Sequence, residues 1–329
     1  MDELIAGFMQ QLKRAIQIAE STKLRKNKVP FRNVLLSGLG GSGIGGTIVS
    51  NLLKDDIGVP VIINKEYSIP KFVNENTLVI ISSYSGNTEE TLSALMQCIK
   101  KGAHIVCITS GGLVKDYAEL HKLDYVKIDG GMPPRACFGL SFVQILYVLH
   151  YYGLIEDGFK QNLKNAIERL DAEEEEIRKI ARSLAGRLHG KLPVIYADAK
   201  FEGVAIRFRQ QINENSKMLC WHNVVPEMNH NELVGWTKEL DLLSVIFLRN
   251  NNDYERNQER MEFTKEVVKN YASDVMELYS KGDTDIERSL YLIHVTDWIS
   301  YYLAELQAVD AVEVDIITKL KNKLAENPL

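Results

Sequence analysis

From Asn33 onward, short runs of aliphatic and β-branched residues alternate with segments whose apolar positions recur at helical spacing. The runs VLLSG (34–38), VPVIIN (59–64), TLVIISS (77–83), AHIVCITS (103–110) and DYVKID (124–129) predict strands. They are continuously apolar rather than alternating, which is the pattern of a parallel sheet covered on both faces. Helical patterns at 44–54, 88–101, 113–121 and 134–152 lie between and after them. Strand–helix alternation at this period predicts a doubly wound α/β domain.

The pattern then breaks and resumes. Residues 159–187 read as a long charged helix, followed by a strand at LPVIYA (192–197) and a helix over 201–217. A strand at DLLSVIFL (241–248), a helix over 254–271, a weaker strand at SDVMELYS (273–280) and helices at 284–308 and 312–325 complete the chain. The second half repeats the α/β style of the first without detectable sequence identity. We therefore expect two similar domains, 1–155 and 156–329, which suits a length of 329 residues.

Composition narrows the class without naming a function. Apolar residues at 45% and charged residues at 25% describe an ordinary folded chain, not a disordered or collagen-like one. A net charge of −5 with no long basic run argues against nonspecific nucleic-acid binding, which needs clustered cations. The acidic run Glu173 to Glu176 reads as a solvated helix start. Cys98, Cys107, Cys137 and Cys220 show no CxxC spacing and no paired framework, so reduced thiols in a cytoplasmic protein are expected. Met1 to Glu20 has charges at helical spacing and lacks a signal-peptide core. The uncharged run Ala136 to Ile155 contains Ser141, Gln144, His150 and two glycines, and reads as a buried helix rather than a membrane span. The tryptophans and the tyrosine-rich segment Tyr291 to Tyr302 read as core or subunit interface.

Two loops carry the candidate chemistry. Ligands of open α/β sheets bind beyond the carboxyl ends of strands, near the point where strand order reverses. SGLGGSGIGG (37–46) follows a predicted strand and opens a helix, and glycines there let backbone amides approach an anion. The loop also matches G-x-G-x-x-G at Gly38, Gly40 and Gly43, with Glu66 placed where a dinucleotide site would hold its ribose-binding acid. On this loop alone a nicotinamide dehydrogenase is favoured. The second loop, SSYSGNTEET (82–91), decides against it. Ser83, Ser85 and Thr88 beside a helix start can satisfy several oxygens of one phosphate without a lysine, a cradle that a dinucleotide fold does not need at its third strand.

A GGS turn followed some forty residues later by SYSGNTEET resembles the sugar isomerase (SIS) family of phosphosugar-binding domains. PPRA (133–136), NENSK (213–217), EMNHNE (227–232) and a lysine-bearing final helix narrow the resemblance to the bifunctional phosphoglucose/phosphomannose isomerases, over essentially the whole chain. The resemblance implies two SIS-type, flavodoxin-like parallel-sheet domains, with the phosphate loops in the first and the catalytic Glu, His and Lys in the second. It implies a phosphate site at Gly41, Ser42, Ser83, Ser85 and Thr88. Arg135 would stabilise the enediolate and Glu214 would be the base, while His230 and Lys321 would serve ring opening. Lys319, two residues away and on another helix face, is the alternative lysine. The resemblance further implies a cytoplasmic homodimer with shared active sites, the histidine coming from the neighbouring subunit, and a phosphorylated hexose as substrate. No cofactor, metal, nucleic acid or membrane is implied. Val312 lies near the expected selectivity position but departs from the threonine expected there.

The chemistry agrees with these residue types. Aldose–ketose isomerisation needs one base near two adjacent carbons, an acid/base for ring opening and positive charge near the developing oxyanion. A partly buried carboxylate, an imidazole and a guanidinium fit those three tasks. A metal reading of His222, Glu227, His230 and Glu232 lacks any HExxH or CxxC spacing.

Overall fold

The computed structural model describes residues 1–27 and 30–326. Strands β1 (Asn33–Ser37), β2 (Val61–Asn64), β3 (Thr77–Ser82), β4 (His104–Thr109) and β5 (Asp124–Lys127) form one sheet in the order β2-β1-β3-β4-β5. Every pairing in it is parallel. Strands β6 (Leu192–Asp198), β7 (Trp221–Val225), β8 (Leu240–Arg249) and β9 (Ala272–Tyr279) form a second parallel sheet in the order β7-β6-β8-β9. Both are flavodoxin-like, and the chain reverses its winding between β1 and β3 and again between β6 and β8.

One helical layer lies between the sheets. It is made by α2 (Phe8–Ser21), α3 (Gly40–Leu52), α6 (Phe138–Tyr151), α7 (Phe159–Leu188), α8 (Glu202–Ser216) and α10 (Asp285–Leu306). Their buried side chains join the inner faces of both sheets in a single core that includes Leu36, Ile80, Ile195 and Leu248. The outer face of the first sheet is covered by α4 (Glu89–Lys100) and α5 (Gly112–Leu120), and that of the second by α9 (Glu255–Val268). This layering explains the uncharged run. Helix α6 is buried on nearly every side because a central-layer helix meets protein all round. Among the described residues, no helix is long and apolar enough to cross a membrane.

The expected strands are all present, with ends shifted by one or two residues. The 59–64 run pairs only from Val61, because Pro60 has no N–H to give, although its carbonyl accepts from Val34. Four departures are larger. The helix expected from 44 begins at Gly40, so half the glycine loop is its first turn. The helix expected over 134–152 opens as a separate 3-10 turn, Pro134–Ala136, before α6. The acidic run lies in the middle of α7, and Glu174 is no solvated residue: it accepts from His294 and from Arg178. Strand β7 was not expected, since WHNVV carries polar side chains at its start. As an edge strand it needs only one ladder, and its side chains bond the loop that follows instead.

The final helix, α11 (Asp315–Ala325), begins three residues later than 312 because the preceding segment is held elsewhere. Tyr291, Trp298 and Tyr302 are core residues, with Arg178 and Arg182 stacked on the Trp298 and Tyr302 rings. All four cysteines are unpaired, and burial pushes the Cys98 and Cys107 thiols up to about 12.

The halves meet most closely where α3 crosses α8. A Cβ on Gly203 would lie 2.7 Å from Ile48 Cγ1 and 3.0 Å from its Cα, and the Gly203 amide donates to Asn51 Oδ1 at 3.0 Å. Gly203→Ala is therefore expected to destabilise the protein by about 1–3 kcal/mol, as overpacking does elsewhere, read as a lowered urea midpoint with unchanged slope.

Candidate active site

At the carboxyl ends of β1 and β3, the amino-termini of α3 and α4 face the crevice where strand order reverses. Their first amides have no carbonyl one turn earlier, so both present N–H groups to a bound anion. The loops reach this position by close backbone contact. A Cβ on Gly38 would sit 2.5 Å from the Ser82 carbonyl oxygen, and one on Gly43 would sit 2.2 Å from that of Gly38. Gly86 has φ +71°, and its Cβ would fall 1.8 Å from the Gly111 carbonyl oxygen.

The hydroxyls are arranged as donors. Ser42 Oγ accepts from the Tyr84 amide at 2.9 Å, and Ser85 Oγ accepts from the Asn87 amide at 3.3 Å. A hydroxyl that accepts a backbone N–H keeps its own proton to give away. Ser83 is fully buried and donates to Thr88 Oγ1 at 3.1 Å, so it orients Thr88, whose own proton remains. Thus Gly41, Ser42, Ser83, Ser85 and Thr88 are brought together as one cradle, with Ser83 behind it rather than lining it.

Arg135 joins this cradle to the second half. A Cβ on Gly41 would lie 2.6 Å from the Pro134 carbonyl oxygen and 2.8 Å from Arg135 Cα, so the glycine loop rests directly on the turn that carries the arginine. The Arg135 side chain is only 3% exposed. Its Nε donates to Asn215 Oδ1 at 2.6 Å, and its Nη2 donates to the Ala311 and Val312 carbonyls at 2.6 and 3.0 Å. Nη1 faces Glu214 Oε2 at 3.5 Å, a loose contact that leaves donor capacity. Burial holds the guanidinium below its ordinary pKa, opposed by the Glu214, Asp310 and Glu313 carboxylates.

A second buried layer fixes this geometry. Asn215 donates to Ser300 Oγ at 2.9 Å, and Ser216 donates to the Ser300 carbonyl at 2.6 Å. Arg207 donates to Asp297 Oδ2 at 2.6 Å and to the Arg135 carbonyl at 3.2 Å, and Gln211 donates to Asp297 Oδ1 at 3.1 Å. Arg207, Asp297 and Ser300 escaped the sequence reading. Their only signal was polar residues at otherwise apolar helix positions.

His230 lies elsewhere in the chain. Helix α8 returns from the carboxyl end of β6 and delivers Glu214 near the amino end of β7, whereas His230 lies beyond the carboxyl end of β7. The strand alone separates them by about 16 Å. His230 ends a 3-10 turn, Glu227–His230, where no regular structure was expected, and it is exposed. Its neighbours are tied down. Glu232 accepts from Tyr196, Trp221 and Asn223 at 2.5, 3.2 and 2.6 Å, and Asn229 donates to Thr264 at 2.8 Å. Other residues of the metal reading have protein partners of their own as well. His222 faces Arg209 Nη1 at 3.2 Å, and Glu227 accepts from Asn231. Lys319 and Lys321 are on α11, of which no residue is buried among those described.

The fold and the two loops define a protein of the sugar isomerase (SIS) class. A family model for the bacterial phospho-glucose isomerase C-terminal SIS domain matches residues 177–324. The chain is 39% identical to a bifunctional phosphoglucose/phosphomannose isomerase of Caldicellulosiruptor bescii, over 99% of each chain. It is 33% identical to that of Aquifex aeolicus, over 99% of this chain and 98% of the relative. A putative phosphosugar isomerase of Clostridium difficile 630, at 15% identity and a TM-score of 0.78 over 97% of both chains, shares the fold. This chain belongs to the bifunctional phosphoglucose/phosphomannose isomerase family.

Two predictions come from this geometry. Gly41→Ala would push the Pro134–Arg135 backbone away from the cradle, so kcat/KM for phosphosugar turnover should fall about 10²-fold while the circular dichroism spectrum is retained. The second concerns acid stability. Burial, with the Arg209 charge, lowers the His222 pKa to about 4, below the unfolded value near 6.5. The unfolded chain then binds the proton first, so stability present above about pH 6.5 is lost as pH falls toward 4. Urea midpoints between pH 7.5 and 4.5 should decline less steeply in His222→Gln than in wild type.

Proposed function

We propose that this chain interconverts glucose 6-phosphate and mannose 6-phosphate with fructose 6-phosphate through an enediol. The observation that carries the reading is the placement of Arg135 and Glu214 as a loose pair directly against the phosphate cradle. The cradle of Gly41, Ser42, Ser85 and Thr88, with Ser83 behind it, holds the phosphate and fixes where the sugar chain extends. Glu214, 26% exposed at its side chain, takes the C2 proton of the aldose and returns it to C1. Nη1 of Arg135 meets the oxyanion that develops on the enediolate, and because it is already desolvated and held it need not reorganise. Rotation about C2–C3 lets the proton return to either face of C2, so both aldoses are reached.

Ring opening is assigned to His230 from a second copy of the chain, with Lys321 of α11. Within one chain, His230 and Glu214 lie at opposite ends of β7, so a site containing both draws on two subunits. Helix α11 supports the same reading. Ile316, Ile317, Leu320 and Leu324 form one exposed apolar face on an 11-residue helix, a length that is marginal in water without a surface to pack on. A homodimer that covers this face also brings the lysines toward protein. Four unpaired thiols fit a reducing cytoplasm.

The competing readings predict different things. A regulator that only binds phosphosugar has no use for a half-exposed carboxylate beside an unspent guanidinium donor. Turnover of both aldose phosphates with EDTA present, lost by at least about 10³-fold in Glu214→Gln, is the expected result. Phosphosugar binding without turnover of either would overturn it in favour of a regulator or another sugar's isomerase. Subunit sharing is tested by mixing inactive Glu214→Gln and His230→Ala proteins after dissociation. One intact site in each heterodimer should restore about a quarter of the wild-type rate, whereas sites confined to single chains would restore nothing.

A further inference from the structure

Four consecutive backbone carbonyls, from Asp310 to Glu313, accept hydrogen bonds from two cations that stand on either side of Glu214. Arg135 Nη2 takes the middle two. Lys217 takes the outer two, Asp310 and Glu313, each at 2.8 Å, and also the carbonyl of Glu214 itself at 2.6 Å. An ammonium has three donors, and here all three are used on backbone. Lys217 can reach this point because the chain leaves α8 there in the left-handed region, at φ 56°. The strap it holds is braced internally, with Asp310 Oδ1 accepting from the Val312 amide at 2.7 Å and the Glu313 carboxylate accepting from the Asp315 amide.

This arrangement sets up a competition for Arg135. Guanidinium and carboxylate at this range would ordinarily close into a bidentate pair. Here Nη2 is committed to the Ala311 and Val312 carbonyls, and the Nη1 contact with Glu214 stays at 3.5 Å. The strap carbonyls keep their place because Lys217 holds the residues on both flanks. Resting on the isomerase reading above, we propose that Lys217 is a positioning residue: it fixes the 310–313 strap so that Arg135 keeps Nη1 for substrate and Glu214 remains free to act as a base. Without it the strap would lift, Nη2 would be released, and the guanidinium would clamp the carboxylate, disabling both groups together.

The test compares full-length wild type with Lys217→Met. Hydrogen exchange of the amides at 310–315 should accelerate in the variant, and this readout is independent of activity. On both aldose phosphates kcat should fall at least about tenfold, and inhibition by a five-carbon aldonate phosphate should weaken similarly, because its carboxylate places oxygens where the enediolate carries them. Inhibition by inorganic phosphate, which needs only the cradle, should stay within about twofold. Lys217→Arg should be intermediate, since a planar fork cannot meet three carbonyls arranged around one point. Faster exchange with unchanged kcat and aldonate inhibition would reduce Lys217 to a helix cap. Unchanged exchange would mean that Lys217 does not hold the strap, and either result overturns the proposal. Should Lys217→Met fail to fold, Lys217→Gln, which keeps part of the donor set, carries the same comparison. A wild type inactive on both sugars would instead refute the isomerase reading, and the exchange comparison would still report on the strap.

Discussion

The buried guanidinium of Arg135 is the constraint on which the rest of the arrangement depends. Taking a full charge out of water costs several kcal/mol unless its donors are met, so the groups that meet them must be in place before the fold is worth adopting. Those groups come from different parts of the chain, Asn215 on α8 and the carbonyls of Ala311 and Val312 after α10, while the glycine loop presses on the arginine's backbone. Satisfying one cation therefore joins the turn before α6, the end of α8 and the C-terminal strap. One layer deeper, Arg207 uses Nη2 to bond both Asp297 and the Arg135 carbonyl, leaving its buried Nε without a hydrogen-bond partner among the described residues.

Such convergence demands unusually close backbone approach, and that is why the loops are built from glycine. Gly38 and Gly43 touch each other and the end of β3, Gly41 touches the arginine turn, and Gly86 touches the next crossover loop. Each contact removes space that a Cβ would need. The loops are thus closely packed, and the hydroxyls of Ser42 and Ser85 are held by backbone amides while that of Thr88 is held by Ser83.

The parts legible in the sequence were those with a periodic or local signal. Continuous apolar runs marked both parallel sheets, and the glycine and hydroxyl loops marked the crevice at β1 and β3. The parts that were not legible depend on partners distant in the chain. Strand β7 reads as polar because Asn223 serves Glu232 rather than a core, and Trp221 adds its Nε1 to the same carboxylate while its ring packs on the core. Glu174 reads as surface, but its partner His294 is 120 residues away on α10. Nothing local to Lys217 reveals that carbonyls it holds follow nearly a hundred residues later. The pairing of Glu214 had no local signal either, since its partner Arg135 lies 79 residues earlier.

The looseness of that pair is itself informative. A carboxylate locked in a bidentate salt bridge has its charged form stabilised and loses strength as a base, whereas one with no cation nearby would leave an oxyanion unsupported. Holding the guanidinium by its other edge resolves the conflict: the charge stays beside the carboxylate without locking it. Backbone carbonyls suit that task better than a second acid would, because they bind the guanidinium without neutralising it. The charge of Arg135 is preserved by the uncharged character of what holds it, and that choice links the position of a C-terminal strap to the pair that Arg135 makes with Glu214.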